Sequence, residues 1–157
     1  MRNAIAPALF IFSSALGAQC IPFSSPTPGV ITDPGDLVDH GPGTVMVIGE
    51  TVDGTAVVAG VPGTYRSEVN LVFPSGRDVG HVNGWGRLTT PAGDLIYRVK
   101  GTVAGDPATR EFDFSLIFLI TGGTGLFEGA SGRATFEGSG DAATLDGVTE
   151  GEVCLGG

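Results

Sequence analysis

From Thr44 onward, apolar residues recur at every second position in short runs separated by Gly, Asp, Pro and Thr. A period of two is the strand period, because successive side chains point to opposite faces. No stretch repeats at the helical period over three turns. Eight runs read as strands: 44–50, 55–60, 65–73, 79–90, 94–104, 111–121, 130–138 and 145–154. Asp53-Gly54 is expected as a two-residue turn between the first pair, since both central positions of such a turn need positive φ. Pro91-Ala92-Gly93, Asp106-Pro107-Ala108 and the segment from Asp141 to Asp146 separate later pairs.

Connections this short make neighbouring strands antiparallel, and a meander of about eight strands tends to close on itself because closure removes exposed edges. The expected fold is therefore all-β, an eight-stranded antiparallel up-and-down β-barrel with an extended N-terminal arm. Such an interior is just wide enough to be filled by side chains or to hold one small ligand. In 65–73, Tyr65, Ser67, Val69, Leu71 and Phe73 share one face. In 111–121, Phe112, Phe114, Leu116, Phe118 and Ile120 share a face, yet Ile117 and Leu119 make the opposite face apolar too. That second apolar face suggests an oligomer interface or a covering arm, against the plainer reading of two exposed apolar residues.

Between the last two long apolar runs lies T-G-G-T-G-L-F-E-G-A-S-G-R at 121–133. Gly122, Gly123, Gly125, Gly129 and Gly132 permit positive φ and close backbone approach, and Phe127 can plug apolar space beneath the loop. A dinucleotide fingerprint is excluded because the third glycine position from Gly123 is Glu128 and no helix follows. The Lys-Ser/Thr pair of a phosphate loop is missing, and no calcium-binding nonapeptide recurs. The stretch reads as a structural turn, and no cofactor is implied.

Composition alters this picture mainly at the N-terminus. The chain of 157 residues contains 27 Gly and 10 Pro, but with 41% hydrophobic residues in regular runs it fits one domain with a single core. Residues 1–18 carry Arg2, an apolar stretch from Ala4 to Phe12 and small residues from Ala15 to Ala18, the pattern of a signal peptide and too short for a transmembrane span. Residues 19–43 are rich in Pro, Gly, Ser and Asp and read as an arm, with an extended piece only around Val30-Ile31-Thr32. The barrel domain is then 44–157. Removing Arg2 leaves seven basic against 17 acidic residues, a balance of −10 that repels nucleic acid and anionic lipid. After cleavage no membrane contact is expected, and the protein is placed outside the cell or in the periplasm. Cys20 and Cys154 would then meet an oxidising compartment and could close one disulfide, with free buried thiols or an intermolecular bridge as competing states. Two cysteines so far apart, with only His40 near either, make no metal site.

The segment F-D-F-S-L-I-F-L-I-T-G-G-T-G-L-F-E-G-A-S-G-R-A-T-F-E-G, from Phe112 to Gly138, resembles dirigent proteins and the bacterial allene oxide cyclase barrel-like proteins. Thr124, Phe127, Ala130 and Gly132 stand where the glycine-turn pattern of that superfamily wants them. The hairpin G-R-L-T-T-P-A-G-D-L-I-Y-R-V-K-G-T-V and the final E-G-E-V-C-L are similar to bacterial members, so the resemblance covers roughly 44–157. It implies an eight-stranded barrel, commonly trimeric, around an apolar cavity. In plants, one branch cyclises an epoxide and another orients radical coupling without oxidising anything itself. Some plant dirigent proteins tie an N-terminal cysteine to the C-terminal strand, which would suit Cys20 and Cys154. No segment aligns with those families' catalytic residues, and none are carried over.

Ionisable candidates are few. His81, Asn83, Trp85 and Arg87 share strand parity, as do Glu68 with Asn70 and Arg98 with Lys100. Facing inward, Glu68, Asn70, His81, Trp85 and Arg98 would line a ligand pocket with an aromatic wall and a cation beside a carboxylate; facing outward, they are cross-strand surface pairs. The expected function is a secreted, noncatalytic barrel that is structural or binds a small apolar ligand. The alternative is an isomerase or cyclase, or a dirigent-like stereo-directing protein, acting on a small apolar molecule in the cavity. The bulk of the inward Phe, Leu, Tyr and Trp candidates favours the former.

Overall fold

The computed structural model describes residues 19–75, 77–106 and 111–156; the expected signal peptide at 1–18 lies outside the described residues. Ten strands follow in order: β1 (Gln19–Pro26), β2 (Gly29–Asp33), β3 (Asp36–Asp39), β4 (Val45–Val58), β5 (Val61–Phe73), β6 (Val79–Thr90), β7 (Gly93–Asp106), β8 (Glu111–Gly123), β9 (Ser131–Gly140) and β10 (Thr144–Leu155). Every pairing is antiparallel. From β4 to β10 each strand pairs with the next, and β2 bridges β10 back to β4, so eight strands close a ring. β1 extends β2 along β10, and β3 lies along the start of β4. The up-and-down barrel expected from the alternation is the fold of this chain.

Two of its staves differ from the expected ones. The runs expected at 44–50 and 55–60 merge into a single strand, β4, and the chain reverses just after it at Ala59-Gly60, where φ is 52° and 76°. Asp53-Gly54 is not a turn: the Asp53 carboxylate accepts hydrogen bonds from Arg66 Nε and Nη2, each at 2.7 Å, and a Cβ at Gly54 would collide with the Pro28 carbonyl oxygen and the Tyr65 ring. The merged strand leaves the ring one stave short.

The supposed irregular arm supplies that stave. Thr27 donates its N–H to the Gly147 carbonyl within β10 at 2.9 Å, and Ile31 to that of Ala143, just before β10, at 2.8 Å. N–H groups alternate sides along a strand, so Pro22, Pro26 and Pro28, of the opposite parity, turn their donor-less nitrogens away from β10. On that side β1 forms no ladder, and the Ser25 hydroxyl instead accepts the Val57 N–H at 2.8 Å. Proline is therefore compatible with this strand, as it is with sheet edges. The same pairing sets Cys20 opposite Cys154, and the two form a disulfide between β1 and β10.

Inward faces follow the expected parity in β5 and β8. Two clusters of buried residues line the barrel interior. One gathers Val52, Tyr65, Tyr97 and Ile120 around Phe127, which sits at 0% exposure in the short 3-10 turn Gly125–Phe127. The other holds Val69, Leu71, Val82, Val99 and Val103. The glycine-rich 121–133 stretch thus returns the chain from β8 to β9 and places Phe127 in the core, with Gly125 and Gly129 at φ of 57° and 69°. Ile117 and Leu119 lie half-buried on the outer wall.

Candidate functional site: the barrel cavity and Glu50

The outward-facing polar candidates do not reach the interior. Glu68, His81, Trp85 and Arg98 are exposed; Glu68 pairs in register with Trp85, and Trp85 with Arg98, in one belt around the outer wall. Trp85 is 54% exposed. Asn70 is half-buried on the same side and its Oδ1 accepts the Gly49 N–H at 2.9 Å. The reason is parity: Val69, Leu71, Val82 and Val99 claim the inside, so their sequence neighbours must point out. None of the five lines the cavity.

A cavity of about 100 Å³ lies within the ring. Its wall is overwhelmingly apolar, with Val52, Val69, Leu71, Val99, Phe118 and Phe136 among the lining side chains. Bulky aromatic residues face inward but do not fill the space. Tyr97 and Phe118 meet edge to face with ring centroids 5.3 Å apart, which fixes both rings against the wall.

Nearly all polar side chains on this wall are already engaged with one another or with backbone. Tyr65 donates to the Pro28 carbonyl at 3.2 Å. The Ser67 and Tyr97 hydroxyls pair at 2.8 Å, and so do those of Thr27 and Thr149. Burial raises the pKa of both tyrosines, that of Tyr97 to about 12, so they remain neutral phenols. The exception is Glu50: among the described residues no side chain or backbone group bonds to its carboxyl, although it lines the cavity and is half-buried. Desolvation alone pushes its pKa from an ordinary 4.5 to about 7.

A β-bulge turns Glu50 inward. Val47 pairs with Leu71 and Glu50 with Val69, so β4 carries one more residue than β5 between these pairs. Gly49, at φ 76°, supplies the left-handed residue, and the Asn70 side chain binds its N–H. Without the bulge, the parity that puts Val47 inside would put Glu50 outside. Sequence reasoning passed over this residue because it lies where one strand was expected to end. The available signal was Gly49 inside an apolar run, the mark of a bulge.

No three His, Cys, Asp or Glu side chains come together as a metal site among the described residues. No protein family, curated protein or solved structure matches the chain. Its chemistry must therefore be read from its own geometry: an apolar chamber with one carboxyl and no Lys, Arg or His among its described lining residues. Such a chamber can enclose a compact hydrocarbon and offer it a single polar anchor.

Proposed function

We propose that this protein is an exported, noncatalytic barrel that holds one small, largely apolar molecule. The observation that carries the reading is the apolar cavity of about 100 Å³ left inside a ring otherwise packed with Val, Leu and Phe. An apolar cavity of about 150 Å³ is known to take up benzene, so this smaller space suits a guest of about four or five non-hydrogen atoms. The disulfide closing β1 onto β10 is in keeping with export to an oxidising compartment. No helix among the described residues is long and apolar enough to cross a membrane. The resemblance to dirigent and allene oxide cyclase barrels supports the same chamber-centred reading.

The test is a titration with small hydrocarbons followed by methyl NMR. Saturable shifts at Val69, Leu71 and Val99 are expected, with outer-wall methyls such as Val57 unmoved; interior methyls that stay unshifted up to the solubility limit of every guest would refute binding. A second reading, an isomerase or cyclase of allene oxide cyclase type, is favoured by one observation. Glu50, poised at about pH 7 inside the chamber, can hold or release a proton near neutrality. That reading requires turnover that vanishes in Glu50→Gln.

A further inference from the structure

The unanswered carboxyl of Glu50 narrows the guest beyond its apolar body. Resting on the chamber reading above, we propose that the molecule held in the barrel carries one basic nitrogen, a compact hydrocarbon ammonium whose cation docks on the Glu50 carboxylate.

Three features select this class. The Tyr65, Ser67, Tyr97, Thr27 and Thr149 hydroxyls each have a partner within the protein, which leaves Glu50 as the polar side chain of the wall without one among the described residues. An ionised carboxylate only accepts hydrogen bonds, and the partners it holds most strongly are charged N–H donors. A wholly hydrocarbon guest would bury this group further without offering it a partner, which costs free energy. An anionic guest would meet no Lys, Arg or His on the described wall and would approach a chain of net charge −9, which repels anions and concentrates cations. An alcohol can donate one hydrogen bond but brings no charge to match that of the carboxylate.

Glu50 is half-buried, so the ammonium can dock while retaining some water, which lowers the desolvation cost that a sealed ion pair would carry. The charged groups on the strands paired with β4 are Asp33 of β2, Asp36 and Asp39 of β3, and Arg66 and Glu68 of β5, all exposed and away from the cavity lining; Tyr65 and Tyr97 share the lining with Glu50.

The experiment compares four small probes at pH 8: isobutylamine, isopentane, isobutanol and isobutyrate. Each is titrated by calorimetry and by the NMR shifts of Val69, Leu71 and Val99. Isobutylamine is expected to bind about tenfold more tightly than the hydrocarbon or the alcohol, and the carboxylate most weakly. In Glu50→Gln, with its fold checked by circular dichroism, the amine should lose that advantage over isopentane. An amine that binds no better than isopentane or isobutanol, or that keeps its advantage in Glu50→Gln, overturns the proposal and leaves the chamber reading standing. Failure of all four probes to shift the interior methyls overturns both.

Discussion

Replacing Glu50 by Gln tests the electrostatic reading of the barrel interior without any ligand. The change keeps the shape of the side chain and removes its titration. In the folded protein the Glu50 pKa stands at about 7, against 4.5 when solvated. Between those values the native state retains a proton that the unfolded chain has released, so the stability of the wild type falls as pH rises through the window. Each pKa unit corresponds to about 1.4 kcal/mol, which for this shift amounts to about 3 kcal/mol; the carboxyl is half-buried, and screening by water brings the expected difference to about 2 kcal/mol. Urea unfolding at pH 4.5 and pH 8 measures it. Glu50→Gln should be the more stable protein at pH 8 by about 2 kcal/mol, with most of the advantage gone at pH 4.5. Asp53 and Asp141 do not blur the comparison. Their pKa values are lowered, by Arg66 and by the Ala143 and Thr144 N–H groups respectively, so their contribution is lost only as pH falls below the window. If wild type and variant lose stability in parallel between pH 4.5 and 8, Glu50 is not held in a desolvating wall.

The disulfide spans 134 residues of sequence, and loop-closure entropy assigns its removal a cost of about 5 kcal/mol. Cys20→Ser with Cys154→Ser should therefore lower the urea midpoint steeply, and an unchanged midpoint would mean that β1 contributes little to the closed ring. Gly49→Ala places a Cβ at φ 76° with no atom within 4 Å, so the cost is conformational alone, about 1 kcal/mol. Equal stability of wild type and Gly49→Ala would show that position 49 is not held in the left-handed bulge.

Much of the wall was legible from alternation alone. The runs 65–73, 79–90 and 111–121 coincide with β5, β6 and β8 to within a few residues at each end, because a strand half-buried in a barrel must alternate. Phe127 was likewise readable as a plug, since the surrounding glycines allow the loop to fold under itself. The Asp53-Gly54 turn was misjudged because a glycine can mark either a reversal or a close approach. Only the packing of the Pro28 carbonyl and the Tyr65 ring against Gly54 distinguishes the two. The proline-rich segment was underestimated for a related reason. Whether a proline disrupts a ladder depends on which side its nitrogen faces, and that is set by a partner, β10, more than 100 residues away.

The candidate site belongs almost wholly to the tertiary structure. Local periodicity sorts residues into two faces, but nothing local says which face is enclosed; closure of the ring decides that, and it sent Glu68, His81, Trp85 and Arg98 outside. The register of β4 against β5 then inserts one extra residue at Gly49 and shifts the parity of the strand beyond it, carrying Glu50 inward. Strand identity, antiparallel order and the plugged turn are set by the order of residues, since they depend on neighbours in the chain. The apolar chamber, its lone carboxyl and the stave that completes the wall arise only when distant strands pair, because register and enclosure are properties of the closed sheet and not of any segment within it.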